Sequence, residues 1–161
     1  MEDLSRVRDL IERMPIGMLI TLDGNEQPRS RPLQTLELDE HGCLWFFVGA
    51  DSPKVDEMSR QHDRVGVSYS DSAKQDYLSI SGRGRLSRDR NRMKQLWSPW
   101  VKIWFPKGVD DPDLALLAIE IDRAEYWDAP GSAVKRLYGL AKARATGDTD
   151  ALGEHGKIGV S

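Results

Sequence analysis

The chain has 161 residues, 39% hydrophobic and 30% charged, with a formal net charge of −3. That is enough apolar material for a domain with its own core, and too much for a disordered chain. The small acidic excess argues against a domain built to coat nucleic acid, the single cysteine, Cys43, excludes a disulfide within the chain, and no stretch approaches the ~20 apolar residues of a membrane span.

The first residues, MEDLSRVRDLIERM, are charged and amphipathic and carry no leader-like apolar stretch, so the expected location is cytoplasmic. Leu4, Val7, Leu10, Ile11 and Met14 recur at helical spacing, and Pro15 ends that helix. IGMLITLD (16–23) is a run of β-formers, and DGNEQP (23–28) is turn chemistry. RSRPLQTLEL (29–38) reads as one strand, DEHG as a second turn and CLWFFV (43–48) as a third strand. Strands on such short turns predict an antiparallel meander.

Residues 52–62 read as a helix with Val55 and Met58 on its inner face. DRVGVSYSD (63–71) and DYLSISGRGRLS (76–87) alternate with period two, and Gly82 and Gly84 let the second of them bend or bulge. RDRNRMKQLWSPWVKIWF (88–105) is mostly helical, broken at Ser98-Pro99. LALLAIEIDRAEYWD (114–128) is the last long strand, and SAVKRLYGLAKARATG (132–147) a basic helix. The Gly-rich tail, 148–161, is expected to be partly loose. About six antiparallel strands with interposed helices predict a mainly-β α+β fold, a small closed or half-closed barrel, in one domain over residues 1–147.

The three histidines, His41, His62 and His155, are scattered with no ligand-rich spacing, so no metal site is expected. There is no Gly-x-Ser-x-Gly, and GRGR (82–85) lacks the helix and spacing of a dinucleotide fingerprint. Arg29 and Arg31 share a strand face. They are either solvated edge residues or a clamp for an anion, to which the guanidinium fork is suited. The stretch FFVGADSPKVDEM (46–58) sharpens the second reading. Ser52 and Pro53 suit an ordinary helix start, but Lys54 opposes the dipole there unless an anion sits between. Three of five tryptophans crowd LWSPWVKIWFP, as Trp97, Trp100 and Trp104, and Trp127 follows in AEYWD. Each is either core or interface packing or a flat wall for a planar ring.

PRSRPLQ, LWFFVGADSPKVDEM, VGVSYSD, LSISGRGRL, WFPKGVDDPDLALLAIEI and AEYWD occur in this order. In series they resemble the pyridoxamine 5′-phosphate oxidase-like flavoproteins of the FMN-binding split-barrel superfamily, and more narrowly their general stress protein branch. The resemblance implies a six-stranded split barrel that forms a homodimer with FMN at the subunit interface. It implies that Arg31, Ser52 and Lys54 hold the FMN phosphate. Backbone around Pro32, Leu33 and Gln34 and around Phe47 and Val48 would line the ring, with Tyr77 near it and Trp127 donated across the dimer.

The departures also matter. No His stands in the stretch after Trp127 where the oxidase carries an Arg-Leu-His-Asp-Arg run. Tyr77 falls where a flavin-contacting Gln is usual, Leu36 where a Lys is, and Val48 where a hydroxyl residue is. Oxidation of vitamin B6 is therefore not expected. The resemblance implies either an FMN-dependent oxidoreductase or a non-catalytic flavin carrier; no residue is an obvious proton donor at the ring, and Tyr77 and Tyr69 are candidates only by proximity in the fold. A split barrel for another phosphorylated flavin-type cofactor, or a ligand-free structural dimer, is the remaining alternative.

Overall fold

The structure is a computed structural model that describes residues 2–50, 63–128 and 154–159. Helix α1 (Glu2–Arg13) is followed by β1 (Ile16–Leu22), β2 (Pro28–Gln34), β3 (Glu37–Leu38), β4 (Cys43–Gly49), β5 (Arg64–Asp71) and β6 (Asp76–Ser87). Then come α2 (Arg90–Leu96), a 3-10 turn (Pro99–Ile103), β7 (Leu114–Asp128) and β8 (Glu154–Gly159). The helices expected at 52–62 and 132–147 lie outside the described residues.

All pairings are antiparallel, in the order β2-β1-β5-β6-β7-β4-β3, with β8 added to β7. β2 also touches β4 near the far end of that order. The sheet is therefore curled into a half-barrel, the split-barrel form of the expected fold. The curl comes from one short piece of chain. β2 pairs with β1 up to Gln34 opposite Ile16, and the Thr35 amide still donates to Pro15 O at 2.8 Å. The next amide, Leu36, donates instead to Trp45 O at 2.9 Å, and Glu37 pairs with Trp45. The stretch 29–38, expected as one strand, is thus two strands that belong to opposite ends of the sheet. Residue periodicity carries no record of which neighbour a strand pairs with, so the change of partner between Thr35 and Leu36 is silent in it.

β4 is buried on both faces, which is why it reads as an unbroken apolar run. Leu44, Phe46 and Val48 point into the barrel with α1's Val7 and Leu10 and with Met14 just after the helix. Cys43, Trp45 and Phe47 point the other way, under Met93 of α2 and Val101 of the 3-10 turn. Burying each large apolar side chain contributes roughly 2 kcal/mol. A half-exposed ion pair such as Arg83–Asp122 at 3.8 Å contributes about 0–1 kcal/mol, so the two cores dominate. Burial pushes the Cys43 thiol up to about 11, helped by the Asp39 carboxylate.

β6 and β7 slip register between Ser81 and Gly82, where Asp122 is the extra residue. A Cβ on Gly82 would lie 2.2 Å from Glu120 O, so only glycine fits the bulge. Beyond it, β7 outruns β4, whose pairing ends at Cys43 opposite Glu120. The freed edge, Arg123–Asp128, is taken by β8. Residues 154–159, within the stretch expected to be loose, are therefore a paired strand. Their short Gly-containing sequence carries no alternation of its own, and the partner edge supplies the order.

Two outcomes follow. Gly82→Ala lowers the unfolding free energy measured in urea by about 3 kcal/mol, because a backbone oxygen cannot yield as a side chain can. Cys43 in the native chain at pH 8 reacts with a thiol-specific disulfide reagent far more slowly than in the denatured chain, because it is both buried and almost wholly protonated.

Candidate functional site

The crossing from β2 to β3 leaves a pocket of about 300 Å³ beside it. Pro32, Leu33 and Gln34 line it from β2, before the chain changes partners, and Leu36 from just after. Ile16 of β1 and Phe47 of β4 complete that side. Trp100, Val101, Trp104 and Phe105, on and after the 3-10 turn, also line the pocket. Phe47 is held by its neighbours, edge-on to Trp97 with centroids 5.5 Å apart and tilted against Phe105 at 6.2 Å. Gln34 is the one side-chain amide among the described lining residues, the indole N–H groups of Trp100 and Trp104 are the other side-chain donors, and no charged side chain is among them.

Four of the residues marked in the sequence, Pro32, Leu33, Gln34 and Phe47, thus converge on one cavity. Val48 alternates to the other face of β4, and its side chain is buried in the barrel core. Arg31 stands opposite Leu19, and its guanidinium donates to Thr21 Oγ1 at 3.1 Å. Arg29 shares that face, as expected, but has an acidic neighbour of its own, Asp23 at 3.5 Å. Ser52 and Lys54 lie outside the described residues, in the chain just beyond the end of β4.

Tyr77 and Trp127 do not line this pocket. They are direct cross-strand partners on β6 and β7, both about 40% exposed. Tyr77 in turn pairs with Ser70, two residues beyond the Met18–Ser68 pair of β1 and β5. They therefore lie on the same outer face and at the same end of the sheet as Ile16. Two strand spacings, about 10 Å, separate Ile16 from Tyr77. Along that face β1 exposes Ile16, Met18 and Leu22.

Tyr69 is a different case. It is buried inside the barrel, and its hydroxyl is 2.7 Å from Thr35 Oγ1. Its ring fits because Gly17 faces it, where a Cβ would meet the ring at 2.8 Å. Burial raises its pKa far above the usual phenol value, against the smaller opposing effect of the Thr35 bond. Tyr69 is thus a strut behind the pocket and not a proton donor in it. Proximity in the fold does not tell which face of β5 closes on the barrel.

Beside the pocket, Asp39 organises the β3–β4 hairpin. It accepts bonds from the His41 amide at 2.9 Å, the Cys43 amide at 2.9 Å and the Trp45 indole Nε1 at 2.9 Å. Burial works to raise its pKa, but the Trp45, Cys43 and His41 donors outweigh it and hold the carboxyl below the usual 3.8. Arg92 of α2 stacks over the Trp45 ring at 4.8 Å and pairs with Glu37, tying the helix to the same hairpin.

Residues 2–150 match the family model described as pyridoxamine 5′-phosphate oxidase like. The chain belongs to this family. A pyridoxamine 5′-phosphate oxidase-like chain of this kind has solved relatives over most of its length. The general stress FMN/FAD binding protein of Xanthomonas citri is 30% identical, with a TM-score of 0.69 over 82% of this chain and 93% of that one. A candidate general stress protein 26 from Jannaschia sp. CCS1 is 27% identical, with a TM-score of 0.75 over 99% of this chain and 100% of that one. Among curated proteins, bli-3 of Neurospora crassa is 23% identical over 112 residues, 65% of this chain, and the chain spans 53% of its length.

The lining residues without a signal in the sequence are Ile16, Val101 and Phe105. Leu36 is marked there as a departure from the family pattern, and Trp100 and Trp104 by their crowding in one short segment, with core packing and a ring wall both open. Trp97 of the same segment is a core residue packed on Phe47.

Tyr69→Phe removes the Thr35 bond and leaves a buried hydroxyl unpaired, so it costs about 1–2 kcal/mol in urea unfolding. Asp39 contributes stability that is complete above about pH 4 and is lost as pH falls through its depressed native pKa. Asp39→Asn is therefore less stable than the parent chain at pH 7, and the difference shrinks in thermal melts as the pH is lowered below about 4.

Proposed function

We propose that this chain is an FMN-binding protein that works as a homodimer. The observation that carries this is the convergence of Pro32, Leu33, Gln34 and Phe47 on one apolar, aromatic-walled pocket. A planar ring fits its chemistry, with the Gln34 amide and the β2 backbone as polar partners for the ring's edge. Arg31 neighbours these residues in sequence, and Ser52 and Lys54 follow Phe47 by a few residues. Together these three hold the phosphate. The Xanthomonas citri relative, named as an FMN/FAD binding protein, supports a flavin as the ligand.

The homodimer reading is supported by the outer face of the sheet. Ile16, Met18 and Leu22 form an exposed apolar row on β1, at one end of which lie Tyr77 and Trp127. A second copy covers this face, and Trp127 then serves the partner's ring site. Bound flavin supplies hydride or electron transfer, while the protein binds and orients it. A non-catalytic flavin carrier is the second reading. It is favoured by the absence of any titratable side chain among the described residues that line the pocket. Oxidation of vitamin B6 is not part of either reading, since the stretch after Trp127 has no His before His155.

The purified protein is expected to be yellow and to release FMN on denaturation, as read by absorbance and mass spectrometry. A colourless protein that takes up no added FMN overturns the proposal. Lys54→Ala is expected to weaken FMN binding by about tenfold to a hundredfold, the worth of a charge-assisted bond, with little change in the melting temperature of the ligand-free form. Bleaching of the bound flavin by NADH or NADPH favours the oxidoreductase over the carrier, and elution at monomer size on gel filtration removes the shared site.

A further inference from the structure

We propose that Trp100 and Trp104 are ligand-binding residues, the second wall of the pocket, and that this wall selects an uncharged planar ring system. The inference rests on the reading of this pocket as a flavin-ring site, and it adds these two residues and the ligand class.

Three observations carry it. First, both tryptophans line the same pocket as Pro32, Leu33 and Gln34. Second, Trp104 is largely and Trp100 partly left in water while their segment is anchored. Trp104 is 68% exposed and Trp100 37%, yet Val101 between them is buried in the core with Trp97 and Phe105 packed around it. The backbone is also tied down, with the Val101 amide bonded to Ser98 O and the Trp104 and Phe105 amides to Val101 O, each at 3.0 Å. Two large rings are thus held on a fixed scaffold, Trp104 mostly and Trp100 partly free of packing. Such preorganised aromatic surface favours a planar partner because little is left to order on binding.

Third, the described lining offers no charge and a single side-chain amide, at Gln34. An ionic group placed here meets no counter-charge and loses its water. The described lining therefore suits a neutral, flat ring with a polar edge better than an ionic group.

Lumiflavin, the isoalloxazine ring without ribityl phosphate, is the probe. It is titrated into the full chain alongside FMN, with binding read by quenching of tryptophan emission and by equilibrium dialysis. Trp104→Ala is expected to weaken both ligands by the same factor, about tenfold, as for loss of one stacking ring, and Trp104→Phe to recover most of it. The melting temperature of the ligand-free variant stays unchanged, because the side chain is exposed.

Unchanged affinity for both ligands in Trp104→Ala overturns the proposal, as does FMN binding without any lumiflavin binding. A change in gel-filtration size with unchanged lumiflavin affinity also overturns it, since the tryptophans are then an interface between copies. Lys54→Ala separates the two readings. If it leaves FMN affinity unchanged while Trp104→Ala weakens both ligands, the phosphate assignment fails and the aromatic wall stands. If it weakens FMN alone while Trp104→Ala does nothing, the phosphate assignment stands and the wall fails.

Discussion

The structure turns on the step from Thr35 to Leu36, where the chain leaves one edge of the sheet and joins the other. Backbone amides cannot stay unpaired beside a core, so the change of edge requires acceptors on both sides. Pro15 O and Trp45 O are those acceptors. The Thr35 side chain then anchors the crossing inward, hydrogen-bonded to Tyr69 within the barrel. Gly17 makes room for the Tyr69 ring. A hydroxyl, a phenol and a missing side chain thus act as one unit that holds two sheet edges near each other.

The pocket is a by-product of that crossing. Residues before the step, Pro32 to Gln34, and after it, Leu36, face a common space because a strand that changes partners must bend between them. The same step brings β2 against β4, so Phe47 joins the pocket lining. β4 can supply pocket lining on one face and a barrel core on the other only because α2 and the 3-10 turn cover its outer side. The covering segment is short, and it buries Val101, Trp97 and Phe105 while Trp100 and Trp104 stay at the rim. Packing and site are thus built from alternate residues of the same few elements, with the Asp39 hairpin and Arg92 tying those elements together.

Much of the architecture was legible because it is local. The stripe from Leu4 to Met14, the period-two strands at 63–71 and 76–87 and the broken helix before Phe105 each follow from side-chain geometry within a few residues. The bulge was legible at Gly82, because a missing side chain inside a strand has few other uses. The convergence of Pro32, Leu33, Gln34 and Phe47 was implied by a resemblance, not by the spacing of those residues. What stayed hidden was pairwise. The split of 29–38, the strand at 154–159 and the burial of Tyr69 all depend on what lies across the sheet. The two fates of the tryptophans in one segment, core for Trp97 and rim for Trp104, depend on which side of a turn faces β4.

The sequence by itself determined a single cysteine without a partner, an acidic balance, a mainly-β chain with amphipathic helices, and a strand, 43–49, apolar enough to be buried on both sides. These are properties of composition and short-range periodicity, and folding cannot change them. The tertiary structure decided which edges meet, which tyrosine is a strut and which lies at the surface, and where the aromatic residues leave a cavity. Those are long-range contacts. They are selected by the free energy of closing one particular curled sheet over its core, and no window of residues shorter than the sheet contains that choice.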